Sequence, residues 1–143
     1  MVSAVTWERR ELFRNENWSK LFIRTLFDYR KRGYLLHEFV LMPDHFHALL
    51  TPQITLERAV QFIKGGFSYR AKKVLGSNLE VWQRGFSDHR IRDYNDYEKH
   101  VRYIHENPVR KKLARVSSEY LFCSAYAGYK LAPVPRGLKP DLL

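Results

Sequence analysis

The chain has 143 residues, 45% of them hydrophobic, which suits one domain with a core of its own. No run approaches the ~18 apolar residues of a membrane span, and the single Cys123 excludes an internal disulfide and any multi-cysteine zinc site. Lys and Arg number 25 against 15 Asp and Glu, and the resulting +10 is spread over "RKR" (30–32), "YRAKK" (69–73), "HRIR" (89–92) and "VRKK" (109–112); with 15% aromatics interleaved, this favours a nucleic acid partner.

The first residues, "MVSAVTWERRELF", lack the basic-then-apolar layout of a signal peptide, which predicts a cytoplasmic, soluble protein. "VSAVTW" (2–7) reads as a short strand. Asn15 or Asn17 caps a helix with Trp18, Leu21, Phe22, Leu26 and Tyr29 at helical spacing. Lys31 and Arg32 suit its C-terminus and Gly33 can close it. "YLLHEFVLM" (34–42), the turn Pro43-Asp44 and "HFHALLT" (45–51) form a hairpin. Thr55 caps a second helix that places Leu56, Val60, Ile63 and Phe67 on one side. Gly65-Gly66, at roughly 1 kcal/mol per glycine relative to Ala, predicts a break or kink, or a close backbone approach to a ligand. "VWQRGFSDHRIR" (81–92) holds one or two short strands. Asn95 with Glu98 resembles a capping box for a third helix, which should stop near Asn107 because Pro108 follows. Aromatics continue to Tyr129. "LAPVPRGLKPDLL" is then expected to be extended or loose, giving a domain over 1–130 and a Pro-rich tail over 131–143. The order βαββαβα predicts an α+β fold with an antiparallel-rich sheet and helices packed on it.

Two features carry chemistry. Side chains two apart on a strand share a face, so His45 and His47 project together while Phe46, Ala48 and Leu50 point into a core. Such a pair serves either as ordinary polar surface or as two ligands of one ion, which needs a further ligand from elsewhere. A two-residue turn places Val40 opposite His47 and Glu38 opposite Leu49, making Glu38 and Asp44 candidate outer-shell partners of the histidines. On the helix at 94–107, Tyr94, Tyr97, Val101 and Ile104 form the apolar stripe. Tyr103 lies outside it, on a face shared with Asn107, His100 and Asp96, so it is either a surface tyrosine or a reactive one. A tyrosine phenol, with an ordinary pKa of about 10, is a poor nucleophile at neutral pH unless a metal draws charge from its target. Asn107 can offer its side-chain oxygen to the same metal.

"MPDHFHALL", "VWQRGFSDHRIRD", "YIHENPVRKKL" and "YLFCSAYAGY" occur in the order seen in single-tyrosine HUH transposases, and the chain most resembles their REP-associated branch from about Thr6 to Tyr129. The resemblance implies a ferredoxin-like core and metal-dependent cleavage and rejoining of single-stranded DNA near hairpins through a 5′-phosphotyrosine. It implies His45, His47 and Asn107 as metal ligands and Tyr103 as nucleophile. Mg²⁺ or Mn²⁺ is the expected ion, and the protein is expected to be a monomer or a homodimer. His100 and Glu38 have no firm role in the family. Lys64, Arg70, Lys72 and Lys73, then Arg90, Arg92, Arg110 and Lys111, are the candidate DNA contacts, with Tyr69, Trp82 and Phe86 as candidate stacking residues. A metal-dependent nuclease using water, or a DNA-hairpin-binding protein without catalysis, is the alternative.

Overall fold

Pro43 and Asp44 join β2 (Tyr34–Met42) to β3 (His45–Pro52) in a computed structural model that describes residues 1–138. The two-residue turn pairs Met42 with His45, Val40 with His47 and Glu38 with Leu49. On the other side of β3 lies β1 (Val2–Val5), with Ser3 opposite His47 and Val5 opposite His45. β1 in turn pairs with β4 (Ser87–Asp88). The resulting order β2-β3-β1-β4 is antiparallel throughout. With α1 (Glu16–Asp28), the single turn α2 (Arg30–Gly33), α3 (Leu56–Leu75) and α4 (Tyr94–Arg110), this is a ferredoxin-like βαββαβ arrangement extended by one helix. Among the described residues no helix is long and apolar enough to cross a membrane.

Both faces of the sheet are buried. Val2, Ala4, Leu36, Phe39, Leu41, Phe46 and Ala48 pack against Phe22 and Leu26 of α1 and Val60, Ile63 and Phe67 of α3. Val40, Met42 and Leu49 face Tyr97 and Ile104 of α4, with Cys123 closing that cluster. A bulge between Leu36 and Glu38 makes this possible. It inserts His37 and shifts the alternation, so Leu36 and Phe39, three residues apart, both reach the first core.

Several helix boundaries differ from the sequence reading. Asn15 caps α1, its Oδ1 accepting from the N–H groups of Asn17 (2.9 Å) and Trp18 (3.3 Å). Gly33 does not close α1 in a left-handed conformation; it ends α2, where a Cβ would lie 3.0 Å from Ile54 Cδ1. α3, capped by Thr55, passes through Gly65-Gly66 without a break. Gly66 admits the ring of Tyr29 instead of a ligand: a Cβ there would sit 2.6 Å from Tyr29 Cε2. Asp93, not Asn95, caps α4, accepting from the Asp96 N–H at 2.8 Å.

Nor does α4 stop at Asn107; it runs on through Pro108 to Arg110. Proline leaves the carbonyl four residues earlier without its helical donor. That carbonyl belongs to Ile104, and the buried Cys123 thiol approaches it at 3.9 Å. Burial raises the thiol pKa to about 11, so it stays protonated and able to donate.

The C-terminal segment covers the outer edge of β2. Leu41 N–H donates to Phe122 O, Ser124 N–H to Phe39 O and Ala132 N–H to Leu36 O, at 2.8–2.9 Å. From Leu131 the segment is docked against both clusters and ends in a turn over 136–138, where Leu138 N–H donates to Pro135 O at 3.3 Å; the rest of the expected tail lies outside the described residues.

The two glycines of α3 give a paired test. Gly66→Ala should destabilise the protein by about 1–3 kcal/mol through overpacking. Gly65→Ala, whose Cβ would meet only Gln61 Cγ at 4.0 Å, should stabilise it by up to about 1 kcal/mol. Chemical denaturation of both variants reads the difference.

Candidate active site

β3 presents His45 and His47 on the face covered by α4, their ring centroids 4.9 Å apart. Each imidazole is held from behind. Asp44 Oδ1 accepts from His45 Nδ1 at 2.7 Å, and Asp44 is in turn reached by Arg9 at 3.4 Å. Burial alone would raise the Asp44 carboxyl, but these bonds outweigh it and hold it below its ordinary value. Ser3 Oγ meets His47 Nδ1 at 2.5 Å. Asp44, a pure acceptor, takes the His45 Nδ1 proton, and the His47 tautomer in which Nδ1 donates to the Ser3 hydroxyl leaves His47 Nε2 its lone pair.

His47 Nε2 is the buried side-chain nitrogen that finds no hydrogen-bond partner among the described residues. An orphaned buried polar atom is costly unless it serves a ligand. Burial, with His45 and Arg110 nearby, lowers the His47 pKa to about 3, so the ring is neutral at physiological pH. A neutral imidazole with an unpaired inward nitrogen is the form that ligates a metal.

α4 brings Tyr103 against this pair. Its ring lies 5.2 Å from that of His47, and the Arg110 guanidinium sits over its outer face at 4.8 Å. Tyr103 remains 39% exposed, so an incoming chain can reach it, whereas Asn107, one turn further along, is buried. His45, His47, Tyr103 and Arg110 thus form one constellation, with Asn107 on the adjoining turn.

Other candidates lie elsewhere. Glu38 has the expected register but does not back the histidines; it accepts from His105 Nε2 (2.7 Å) and Ser124 Oγ (2.8 Å) and so clamps α4 to β2. His100 has Asp96 and His89 as its partners, not His45 or His47. Lys64 donates to the carbonyls of Gln83 (2.9 Å) and Gly85 (2.6 Å), and burial lowers its pKa, so it is occupied in anchoring that loop. Arg70 pairs with Asp28 at 2.8 Å and stacks on Tyr29. Lys72 and Lys73 lie on α3, across the sheet from the histidines, with Lys73 over the exposed Tyr69 ring. Arg90, Arg92, Arg110 and Lys111 are exposed on the α4 side. Trp82 is core, packed against Phe13, Phe22, Phe46 and Phe67, and its Nε1 donates to Lys64 O at 3.0 Å; Phe86 packs on the same cluster. Ser3, His105 and Ser124 were missed by the sequence reading. Only Ser3, the polar residue inside an apolar strand, carried any local signal.

A family model described as "Transposase IS200 like" matches residues 2–107. A REP-associated tyrosine transposase of Escherichia coli K12 is 29% identical over 114 residues, 78% of this chain and 63% of its own length. A second protein so named as putative, from Haemophilus influenzae, is 29% identical over 116 residues, 71% of this chain and 66% of its own length. The chain therefore spans about two thirds of the length of these relatives. A solved structure of a REP-associated tyrosine transposase bound to a REP hairpin superposes with a TM-score of 0.73, at 24% identity, over 97% of this chain and 80% of that one.

In the metal-free protein, His47 should stay neutral on acidification from about pH 7.5 to 5, seen as an imidazole ¹⁵N signal that does not titrate. Its folded pKa lies below its unfolded one, so its contribution to stability is complete above the ordinary value of 6.5 and is lost as pH falls towards about 3.

Proposed function

Because the chain belongs to the IS200-like transposase family, we propose that it cleaves and rejoins single-stranded DNA next to hairpins, with Tyr103 as the nucleophile. The observation that carries this reading is the unpartnered His47 Nε2, buried beside the Tyr103 ring and under the charge of Arg110. A non-catalytic DNA-binding module has no use for a buried imidazole whose ring nitrogen has no hydrogen-bond partner next to an exposed tyrosine.

His45, His47 and Asn107 would hold a divalent ion, and two imidazoles with an amide oxygen and water suit Mn²⁺, with Mg²⁺ as the other candidate. Such an ion, when bound, polarises the scissile phosphate. The remaining chemistry falls to the chain. Tyr103 Oη attacks phosphorus and forms a 5′-phosphotyrosine as the bond from phosphorus to the 3′-oxygen breaks; the phenol proton passes in net terms to that oxygen, which leaves as a 3′-hydroxyl. The phosphodiester is exchanged and not hydrolysed, so attack by a 3′-hydroxyl on the phosphotyrosine rejoins strands without ATP. Arg110 offsets the charge on the phosphoryl oxygens. Asp44 and Ser3 fix the orientation of the two imidazoles. Arg90, Arg92 and Lys111 extend positive charge along the α4 side for the strand that carries the scissile phosphate. A cytoplasmic site of action fits this substrate.

Incubating a labelled hairpin oligonucleotide with the protein and Mn²⁺ should yield a covalent protein–DNA band on a denaturing gel. The band should vanish in Tyr103→Phe, a change at a half-exposed ring that leaves the fold intact. Its persistence would sink the nucleophile assignment, and cleavage without any covalent band would point to attack by water.

A further inference from the structure

His89, Asp96 and His100 form a cluster separate from the Tyr103 constellation. His89 follows β4; Asp96 and His100, four residues apart, share one face of the first turns of α4. His89 Nε2 lies 3.6 Å from Asp96 Oδ2, and His100 Nδ1 lies 3.4 Å from Asp96 Oδ1. One ligand atom from each residue falls within 4.8 Å of the others.

We infer that these three side chains are a second divalent-cation site, suited to a borderline ion such as Zn²⁺ with water in the fourth position. Zinc bonds of about 2.0–2.1 Å set tetrahedral donors roughly 3.4 Å apart; the two imidazole–carboxylate separations of 3.6 and 3.4 Å are already near that spacing, and donors as far apart as 4.8 Å would have to close by about 1.4 Å.

The surroundings hold the donors in place. Asp96 is 6% exposed, and its Oδ2 accepts from the Arg92 N–H at 3.1 Å. Its own N–H is held by Asp93 Oδ1 at 2.8 Å. His89 is pinned through its backbone, its N–H donating to Met1 O at 2.8 Å and its carbonyl accepting from the Met1 amino group. The two imidazole rings lie 4.4 Å apart at 37°, both directed at the one carboxylate. The His89 side chain is 53% exposed, which leaves the fourth position open to water.

Two contacts oppose binding. Arg92 Nε lies 3.5 Å from Asp96 Oδ2, but that side chain is 77% exposed and can turn into solvent. His100 Nδ1 also lies 2.7 Å from the Asp96 carbonyl, and an ion would compete for that bond. The donor set, two imidazoles and a carboxylate, is that of zinc sites that keep one position open, not that of Mg²⁺ or Ca²⁺. A bound ion would tie the end of β4 to the helix that carries Tyr103. The inference does not rest on the function proposed above.

The test is a calorimetric titration of the untagged full chain with Zn²⁺, for wild type, His89→Gln, His100→Gln and His45→Gln. Wild type should bind one equivalent more than His89→Gln and His100→Gln, or bind that equivalent about tenfold or more tightly. This difference holds whether or not the His45–His47 pair also takes zinc. Loss of a separate equivalent in His45→Gln reports on that other site, so the two readings can fail independently. Because His89 is half exposed, His89→Gln keeps the test valid even if His100→Gln misfolds. Equal stoichiometry and equal affinity in wild type and His89→Gln would overturn the assignment.

Discussion

The alternation of β3 is the constraint on which the rest depends. It lies between β2 and β1 and both of its faces are covered, so every residue has one side to which it can belong. Phe46 and Ala48 are committed to the aromatic core with α1 and α3. His45 and His47 are thereby committed to the opposite face, under α4. A slip of one residue would put two imidazoles among phenylalanines and two apolar groups at the site. The two-residue turn at Pro43-Asp44 prevents that slip and also places the Asp44 carboxylate against His45.

A second layer of contacts decides where Tyr103 sits. α4 must cross the histidine face at one position, and polar contacts from two other parts of the chain, β2 and the returning C-terminal segment, hold it there. Glu38 on β2 binds His105 of the helix and Ser124 of the returning chain. Cys123 approaches the Ile104 carbonyl that Pro108 leaves without a helical donor. The proline that ordinarily ends a helix is accommodated here because the C-terminal segment supplies a donor at that carbonyl. The helix can then continue to Arg110, whose guanidinium lies over the Tyr103 ring. The segment after α4 is therefore part of what builds the site.

The histidine face and the off-stripe position of Tyr103 were legible because each follows from a local period: two for a strand, 3.6 for a helix. The pairing of Val40 with His47 followed from the length of the turn. What stayed hidden depended on partners distant in sequence. The bulge at His37 left only an indirect trace, the three-residue spacing of Leu36 and Phe39. Glu38 read as a histidine partner because register gives the face of a residue, not the direction its carboxylate turns; His105 and Ser124, 67 and 86 residues away, take it instead. Gly66 read as a weak point, yet it is where the Tyr29 ring enters, and the helix persists because tertiary packing overrides propensity. Lys64 reads as a candidate DNA contact and Trp82 as a candidate stacking residue, yet residue type and position along the chain do not show that the one holds a loop and the other packs in the core.

Net charge, too, says less about the site than its local arrangement does. The +10 of the chain covers both sides of the sheet, and Lys72 and Lys73 lie across it from the histidines. At the site itself the imidazole most deeply involved is uncharged: burial and the neighbouring positive groups keep His47 neutral. Positive charge there comes from Arg110, which is always protonated and lies over the Tyr103 ring. This division has a chemical logic. A protonated His47 would have no lone pair for an ion, whereas a guanidinium can stand beside phosphate at any physiological pH. On the proposed reading, ligand chemistry falls to the buried neutral group and charge compensation to the permanent cation, with the phenol between them.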